Sequence, residues 1–370
     1  MSKLKLMTIV GTRPELIRLS ETIKKADRYF NHTFVHTGQN YNPNLNEIFY
    51  NDLNLRKPDY YLDVVGDDLG QTIGNIIEKS YAIMREIRPD ALLILGDTNS
   101  ALSAISAKRL KIPVFHLEAG NRCFDENVPE EINRRIVDHI ADINLPYTEH
   151  ARRNLLDEGI KSECVFVVGS PMAEVIEANK LKIDTSGVLN SLNLLKKQYI
   201  VLSAHREENI DNRESFFSLM SAVNALAAQY NMPLIYSVHP RSAKFIKERD
   251  FKFHPLVREL PPFAFTDYTK LMQNAFCVVS DSGTLSEEAA IGKFPAVSIR
   301  TSAERPEGID SGVFVLGGIH SENVLQSVEI AVNVTNADPV RNYESVVVSE
   351  KVVRLIHSYT PVVNRNVWKK

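Results

Sequence analysis

The chain has 370 residues, more than the roughly 250 to 300 at which one hydrophobic core stops growing, so we expect two domains. Hydrophobic residues make up 44% and charged residues 24%, as in ordinary globular proteins, which excludes a disordered chain. The net charge of −3 leaves no positive excess to neutralise a phosphate backbone, which excludes a general nucleic-acid-binding protein.

Secretory and membrane signals are not recognisable in the sequence. Its start, MSKLKLMTIVGTRPE, has an apolar stretch too short for a signal peptide, and no window approaches the ~20 apolar residues that span a bilayer. The three cysteines, Cys123, Cys164 and Cys277, are odd in number and lack CxxC spacing, which favours a reducing compartment and argues against structural zinc. We therefore predict a cytoplasmic protein with no membrane partner.

The first half alternates short apolar runs with stretches of helical period. Continuous apolar runs, unlike alternating ones, indicate strands covered on both faces, as in a parallel sheet with helical crossovers. The pattern predicts a doubly wound α/β domain over residues 1–170. Its predicted strands lie in KLKLMTIVG, HTFVHTG, DALLILGD, KIPVFHLEAG, INLPYTE and CVFVVGS.

The second half repeats this rhythm after a looser polar segment. It predicts helices at about 213–230, 266–275 and 284–292 and a second α/β domain over residues 171–350. We expect two Rossmann-like domains that face each other across a cleft. Whether the closing segment, residues 351–370, folds back onto the first domain stays open. The predicted strands of the second domain lie in YIVLSAHRE, MPLIYSVHP, FCVVSDSG, FPAVSIR and GVFVLGG.

The turn after the first strand, VGTRPELIR, has the composition of an anion pocket. Gly11 permits a sharp bend, and Pro14 suits an early helical position where its missing N–H costs nothing. Arg13 and Arg18 place positive charge near that helix start. The alternative is an ordinary helix start with solvated arginines.

Acidic residues follow the next buried strands of the first domain. Asp97 and Glu118 come just after DALLILG and KIPVFHL, so both are expected at the carboxyl edge of one sheet. Glu130 and Glu131 open a helix, where they also complement the helix dipole, and Asp97 could instead be a helix N-cap. Carboxylates that share a site raise one another's pKa, which leaves one able to donate a proton while another accepts.

The second domain places cationic, hydroxyl and glycine residues after its strands. His205 and Arg206 follow YIVLSA, and His239 follows MPLIYSV. Backbone N–H groups at a helix start, together with such cations, bind phosphate. Further candidates for this anion site are Ser282, Gly283, Thr284, Arg300 and Arg305, and Glu288 could accept a hydrogen bond from a ribose hydroxyl.

Taken together, the motifs GTRPE, GDT, HLEAG, PEEINR, AHREEN, HP, DSGTLSEEA and ERPEG resemble those of the non-hydrolysing UDP-N-acetylglucosamine 2-epimerases, in the same order along nearly the whole chain. The resemblance implies a glycosyltransferase-B-like architecture that binds a UDP-linked 2-acetamido sugar. It implies acid–base roles for Asp97, Glu118 and Glu130. It implies UDP contacts for His205, Ser282 and Glu288, a place near the phosphates for Arg13, and an aromatic position beside the uracil for Tyr268.

Three departures from the usual family pattern are visible. Arg18 stands where the family usually has lysine, and GNRCFD stands where it has GLRT. The segment TGQNYNPNLNEIF lacks the Gln-His pattern with which some bacterial members hold a second, allosteric UDP-sugar, which puts that regulation in doubt. EAGNRCFD resembles the branch that forms UDP-N-acetyl-L-fucosamine from UDP-2-acetamido-2,6-dideoxy-L-talose for capsule and O-antigen synthesis, which we favour over UDP-N-acetylglucosamine as substrate.

The C2 hydrogen of an acetamido sugar has no adjacent carbonyl, so its removal needs another source of stabilisation. Transient oxidation by NAD is disfavoured because no dinucleotide fingerprint is present. The other route eliminates UDP to a 2-acetamidoglycal and then adds it back, which needs an acid, a base and cations. Cations for the departing diphosphate are available in Arg13, Arg18, His205 and Arg206. We predict no cofactor, no metal and a homodimer. The rival functions are a glycosyltransferase of this architecture and a nucleotide-sugar sensor.

Overall fold

The computed structural model describes residues 3–39, 43–300 and 304–370. The chain divides into two compact units. The first unit contains Met1–Ala178 together with Arg341–Lys370, and the second contains Asn179–Val340. Each unit is built around its own parallel sheet.

The first unit contains a six-stranded sheet in the order β3-β2-β1-β4-β5-β6, with every neighbouring pair parallel. The two central strands are buried along almost their whole length, because helices cover both faces. The strands are β1 Lys5–Val10, β2 Asn31–His36, β3 Tyr60–Tyr61, β4 Ala91–Leu95, β5 Val114–Leu117 and β6 Ile143–Leu145. The helices are Arg13–Tyr29, Pro43–Asp52, Leu69–Ile87, Ser103–Arg109, Pro129–Ile140, Glu149–Asp157, Met172–Ala178 and Val348–Val363.

The C-terminal helix Val348–Val363 packs within the first unit. The Glu174 carboxylate accepts hydrogen bonds from the backbone N–H and the hydroxyl of Ser349, and Lys25 forms an ion pair with Glu350 at 3.1 Å. The buried carboxylate is thus matched by two donors, as a buried charge requires. The chain returns to its first unit after completing the second.

The second unit contains another six-stranded parallel sheet, in the order β12-β11-β10-β7-β8-β9. Its core lies between this sheet and the helices on its two faces. The strands are β7 Ile200–Ser203, β8 Leu234–Ser237, β9 Val257–Leu260, β10 Cys277–Ser280, β11 Ala296–Ser298 and β12 Val315–Leu316. The helices are Lys180–Thr185, Val188–Ser191, Glu207–Ile210, Arg213–Tyr230, Pro240–Glu248, Phe265–Asn274, Leu285–Gly292, Pro306–Asp310 and Ser321–Asn333.

The two sheets have the same strand order. Read from its opposite edge, the second sheet runs β9-β8-β7-β10-β11-β12, which repeats the third-second-first-fourth-fifth-sixth order of the first. This is the Rossmann order, in which the direction of chain progression reverses between the first and fourth strands. The predicted α/β fold class with two Rossmann-like domains is confirmed.

Three strand assignments differ from the sequence prediction. Residues 164–170, predicted as a strand, form only one isolated bridge, between Asn144 and Val165. Tyr60–Tyr61 and Val257–Leu260 pair as edge strands that the pattern did not predict, because they are short and partly exposed and so lack a continuous apolar run. Within the described residues, no helix is both long and apolar enough to cross a bilayer.

Candidate active site

The turn after β1 is closely packed against the neighbouring turns. A Cβ at Gly11 would collide with the hydroxyls of Ser100 and Thr37, so only glycine lets the backbone pass here. The next helix then begins at Arg13, whose guanidinium lies 5.7 Å from the centre of the Phe49 ring. Burial lowers the pKa of Arg13. This half-buried cation lies at a helix N-terminus, a place suited to an anion.

Glu118, directly after β5, forms a buried ion pair with Arg18. The Asn121 amide donates to Glu118 Oε1 at 3.3 Å, and the Tyr147 hydroxyl donates at 3.5 Å to Oε2, the oxygen that Arg18 contacts. Glu118 has φ of 71°, a left-handed conformation that costs a non-glycine residue energy and is concentrated at functional sites. The neighbouring Gly96 leaves room for the carboxylate, since a Cβ there would lie 3.3 Å from Glu118 Oε2.

Asp97, after β4, pairs with an arginine that the sequence analysis missed. Arg134 donates to Asp97 Oδ2 from Nη2 at 2.6 Å and from Nε at 3.0 Å. The side chain of Asn133 donates to the Asp97 carbonyl. The following helical turn, Asn99–Leu102, has Thr98 as its N-cap, so the alternative reading of Asp97 as a helix cap is wrong.

The two glutamates that open the helix Pro129–Ile140 have different surroundings. Glu131 is fully buried, and its carboxylate accepts from the Cys123 backbone N–H and from Arg134. Burial pushes the pKa of Glu131 up, but the Cys123 N–H and the charge of Arg134 outweigh burial, so the pKa is lowered. Glu131 therefore orients neighbouring groups, while Glu130 stays half-buried at the second helical position.

Glu15 is a buried carboxyl group that the sequence analysis did not single out. It accepts from the Gly11 N–H at 3.0 Å and the Thr12 hydroxyl at 2.7 Å. Its other oxygen accepts from the Thr98 hydroxyl at 3.2 Å. Burial, opposed by these hydrogen bonds, raises the pKa of Glu15 to about 7. Glu15 is the last residue of the GTRPE motif, which could have drawn attention to it. Its contact with Thr98, on a distant turn, could not be read from the sequence.

In the second unit, a second missed carboxylate organises the turn after β7. Asp281, fully buried after β10, accepts from the backbone N–H groups of His205 and Arg206 at 2.8 and 2.9 Å. The Asn209 amide donates at 3.2 Å, and the His205 ring nitrogen Nδ1 lies 3.2 Å from the second oxygen. Burial alone would raise the pKa of Asp281, but His205 and the backbone donors lower it to about 2.

The turn after β10 presents small hydroxyl residues beside a cavity. The hydroxyls of Ser282 and Thr284 lie 2.9 Å apart, before the helix Leu285–Gly292. A Cβ at Gly283 would lie 3.2 Å from the Glu304 side chain and 3.4 Å from the Arg206 side chain, so glycine lets these side chains lie close to the backbone. The cavity is small, about 20 Å³, and is lined by Ser282, Gly283, Leu285, Ser286, Ser298, Arg300, Glu304, Arg305 and Phe314.

Two buried arginines, Arg300 and Arg305, line this cavity and pair with carboxylates. Arg300 donates to Glu304 at 2.9 Å, and Arg305 lies 3.5 Å from Glu287. Each buried guanidinium thus has a counter-charge nearby, which compensates part of its desolvation cost. A phosphate bound at the mouth of this small cavity would meet cations already held in place.

Tyr268, Glu288 and His239 surround the same sheet edge. Tyr268 stacks on Phe263 with ring centres 6.5 Å apart, and the charge of Glu288 adds to burial in raising the pKa of Tyr268. The His239 ring lies 5.4 Å from the His205 ring and accepts from a backbone N–H at the start of its helix. The structure therefore places His205 and His239 directly after strands β7 and β8, with Tyr268 and Glu288 on helices that follow β9 and β10.

Two predicted segments fall partly outside the described residues. These are residues 301–303 of the turn before Glu304, and residues 40–42 of TGQNYNPNLNEIF, the segment on which the doubt about allosteric regulation was based. Among the residues the structure describes, no group of three or more His, Cys, Asp or Glu side chains is placed to hold a metal ion.

Comparisons with known proteins identify the family of the chain and agree with its fold. Residues 22–357 match the family described as UDP-N-acetylglucosamine 2-epimerase. A solved structure of UDP-N-acetylglucosamine 2-epimerase from Rickettsia bellii is 46% identical, covers 100% of both chains and superposes with a TM-score of 0.91. The Methanocaldococcus jannaschii UDP-GlcNAc 2-epimerase in complex with UDP-GlcNAc and UDP is 34% identical over 96% of this chain and 100% of its own, with a TM-score of 0.90.

A relative named for a different UDP-sugar is also similar in sequence. UDP-2,3-diacetamido-2,3-dideoxy-D-glucuronate 2-epimerase from Pseudomonas aeruginosa is 31% identical over 90% of this chain and 94% of its own. The solved structures of this family share the fold that was predicted as glycosyltransferase-B-like. The relatives therefore match along nearly the whole chain, and their names include more than one UDP-sugar.

Proposed function

The chain belongs to the UDP-N-acetylglucosamine 2-epimerase family, and from that premise we propose that it inverts C2 of a UDP-linked 2-acetamido sugar without hydrolysing it. The observation that carries the proposal is the carboxyl edge of the first sheet. There, two carboxylates that follow neighbouring strands, Asp97 and Glu118, are each held by a buried arginine. Oriented acids and bases of this kind are what proton transfer at carbon requires.

The reaction we propose is an elimination followed by a re-addition. A carboxylate takes the C2 proton while the C1–oxygen bond to UDP breaks, and the electron pair of the C2–H bond forms the C1–C2 double bond of a 2-acetamidoglycal. A proton is then delivered to the other face of C2, and the UDP oxygen bonds again to C1. No oxidant is consumed, and substrate and product have the same atoms.

We assign the acid–base steps to Asp97, Glu118 and Glu130, without assigning faces. Arg18 would hold Glu118 oriented and compensate its charge when no substrate is bound. The left-handed backbone at Glu118 places its carboxylate beside Gly96 and Arg18. Such fixed orientation reduces the reorganisation that proton transfer needs.

We assign UDP binding to the second unit. Ser282, Gly283 and Thr284 precede a helix N-terminus beside the cavity that Arg305 lines, a setting suited to a diphosphate. The remaining proposed contacts of UDP in this unit are His205, Arg206, His239, Tyr268 and Glu288.

We propose UDP-2-acetamido-2,6-dideoxy-L-talose as the substrate and UDP-N-acetyl-L-fucosamine as the product, for capsule or O-antigen synthesis. The support is the segment GNRCFD, which follows Glu118. Asn121 of this segment donates to the Glu118 carboxylate, and Arg122 is buried between Asp138 and Glu158. The residues that mark this branch are therefore in contact with a proposed acid–base group or support its loop.

UDP-N-acetylglucosamine is the second candidate substrate. The Rickettsia and Methanocaldococcus relatives carry that sugar in their names, and the Rickettsia protein is 46% identical to this chain. The Pseudomonas relative, 31% identical, is named for another UDP-sugar, so identity at that level does not assign the sugar. We further propose that the enzyme works as a homodimer in the cytoplasm.

The test is NMR of the product mixture after incubation with each UDP-sugar separately. Faster formation of the C2 epimer from the L-talose sugar would support our assignment. Faster conversion of UDP-N-acetylglucosamine would support the second candidate. Tight UDP binding without epimer from either sugar, or sugar transfer only when an acceptor is added, would contradict the epimerase proposal.

A further inference from the structure

Glu15 connects two turns that carry proposed site residues. Its side chain is 2% exposed. One oxygen accepts from the Gly11 N–H and the Thr12 hydroxyl, both on the turn after β1. The other accepts from the Thr98 hydroxyl on the turn after β4. Because β1 and β4 are neighbours in the sheet, the carboxyl group bridges the point at which the strand order reverses.

A plain helix cap does not account for all of these contacts. A glutamate at the third position of a helix commonly reaches back to the cap residue and remains near the surface. Here the carboxyl group is buried, and Thr98 belongs to another turn, next to Asp97. The contact with Thr98 adds nothing to the start of the helix at Arg13. It fixes the position of the Asp97 turn relative to that helix.

We propose that Glu15 is a positioning residue that sets the separation between the helix carrying Arg13 and Arg18 and the turn carrying Asp97. This rests on the proposed epimerase function, since those three residues belong to its site. A shift of about 1 Å between acid–base groups costs on the order of 100-fold in rate. The bridge through Thr98 is therefore expected to affect turnover more than substrate binding.

The protonation state of Glu15 gives a second readout. Its surroundings supply hydrogen-bond donors but no ion-pair partner among the causes of its pKa of about 7. A glutamine can keep all three contacts, because its amide N–H can donate to the Thr98 hydroxyl as a protonated glutamate would. The titratable side chains at this edge of the sheet include Arg13 and Arg18 near the start of its own helix, His36 at the end of β2, Asp97 after β4 and Glu118 after β5.

The decisive variant is Thr98→Val, which removes the bridge and leaves the contacts with Gly11 and Thr12. In this variant we expect kcat to fall on the order of 10- to 100-fold, with KM changed less than threefold. The kcat of Glu15→Ala should fall at least as far, and the kcat of the double variant should fall no further than that of Glu15→Ala. The matched control is Asp68→Ala, which removes the N-cap of the helix Leu69–Ile87 and should lower stability alone. Unchanged kcat in Thr98→Val, with the protein folded, would overturn the proposal.

Glu15→Gln tests the same residue through pH. Wild-type kcat/KM is expected to show an ionisation near pH 7 that this variant lacks, and the variant should keep the rate that the wild type shows on the acid side. An unchanged ionisation near pH 7 would contradict the assignment to Glu15. Absence of turnover in the wild type with either sugar would instead overturn the proposed function. In that case, NMR titration of the Glu15 carboxyl carbon in wild type and Thr98→Val still tests the bridge. Loss of the Thr98 donor should raise the pKa of Glu15. An unchanged pKa of Glu15 would overturn the bridge.

Discussion

The two sheets share one strand order but place opposite chemistry at the same point. In each, a buried carboxylate joins the turns after the first and fourth strands: Glu15 contacts Thr98 in the first unit, and Asp281 contacts His205 and Arg206 in the second. Burial raises the pKa of Glu15 to about 7, whereas His205 and backbone N–H groups overcome burial and lower that of Asp281 to about 2. The difference teaches that the partners, and not the fold, decide whether such a carboxylate stays charged.

The same contrast extends to the surrounding residues. The first unit gathers carboxylates with arginine partners, as proton transfer at carbon needs. The second gathers backbone N–H groups, hydroxyls and cations, as a diphosphate needs. The variants below separate these two assignments.

The largest effect is expected from Glu118→Gln, which removes a proposed acid–base group of the first unit. We expect kcat to fall by about 100- to 10,000-fold, because general acid–base catalysis contributes that much, while the affinity for UDP stays unchanged. Steady-state kinetics and UDP calorimetry measure the two quantities. The matched control is Glu126→Gln, whose carboxylate is 80% exposed and should leave both unchanged. An equally large loss of UDP affinity in Glu118→Gln would contradict the assignment of acid–base chemistry to the first unit and UDP binding to the second.

Next comes the buried ion pair of the first unit. Arg18→Ala leaves the Glu118 carboxylate buried without its guanidinium, which typically costs about 3 to 5 kcal/mol in the free energy of unfolding. The comparison is Arg241→Ala in the second unit, where the ion pairs are exposed and the expected cost is about 1 kcal/mol or less. Urea unfolding of both variants measures the difference, and similar losses would mean that burial does not distinguish the two pairs.

The two bridging carboxylates should make stability respond to pH in opposite directions. For Glu15, the folded state binds the proton more tightly than the unfolded state between pH 4.5 and about 7, so ionisation removes about 3 kcal/mol of stability as pH rises. For Asp281, the unfolded state binds the proton more tightly between about pH 2 and 3.8, so about 2 kcal/mol is gained as pH rises and is fully present at neutral pH.

Unfolding measured against pH for wild type, Glu15→Gln and Asp281→Asn tests these signs. The stability of Glu15→Gln relative to wild type should increase from pH 5 to pH 8. That of Asp281→Asn should be lowest relative to wild type above pH 4. A parallel pH dependence in wild type and Glu15→Gln would contradict the first sign.

A smaller effect is expected on UDP affinity in Asp281→Asn. Loss of the charged acceptor loosens the turn that carries His205 and Arg206, and hydrogen bonds to charged groups contribute about 1.5 to 3 kcal/mol, so the Kd should rise by about 10- to 100-fold. The matched control is Asp250→Asn, an exposed ion-pair residue of the same unit. Calorimetry with UDP distinguishes them. An unchanged Kd in Asp281→Asn would remove the role of this turn in binding the nucleotide.

Local patterns in the sequence predict much of the fold, because buried parallel strands leave continuous apolar runs. The edge strand Val257–Leu260 escapes this rule, since it is partly exposed and two charged residues interrupt its apolar ends. Residues 164–170 fail in the other direction, because Val165 and Val168 are buried although the segment forms only an isolated bridge. Hydrophobicity predicts burial, and strand pairing is a further requirement.

The candidate site was predictable only where one residue carries the signal. Asp97 and Glu118 follow apolar runs and could be placed at a sheet edge. Arg134, Glu15 and Asp281 could not be assigned partners, because each contacts a turn far away in sequence. Their positions depend on the order of the strands, which no local pattern contains.

The central claim, that acidic groups of the first unit exchange a proton at C2 of a UDP-sugar, is tested most directly by turnover in D2O. NMR of the recovered sugar should show deuterium at C2 in the epimerised product without any added acceptor, and Glu118→Gln should slow this incorporation by about 100- to 10,000-fold. Epimer that retains the original hydrogen at C2 would contradict the account.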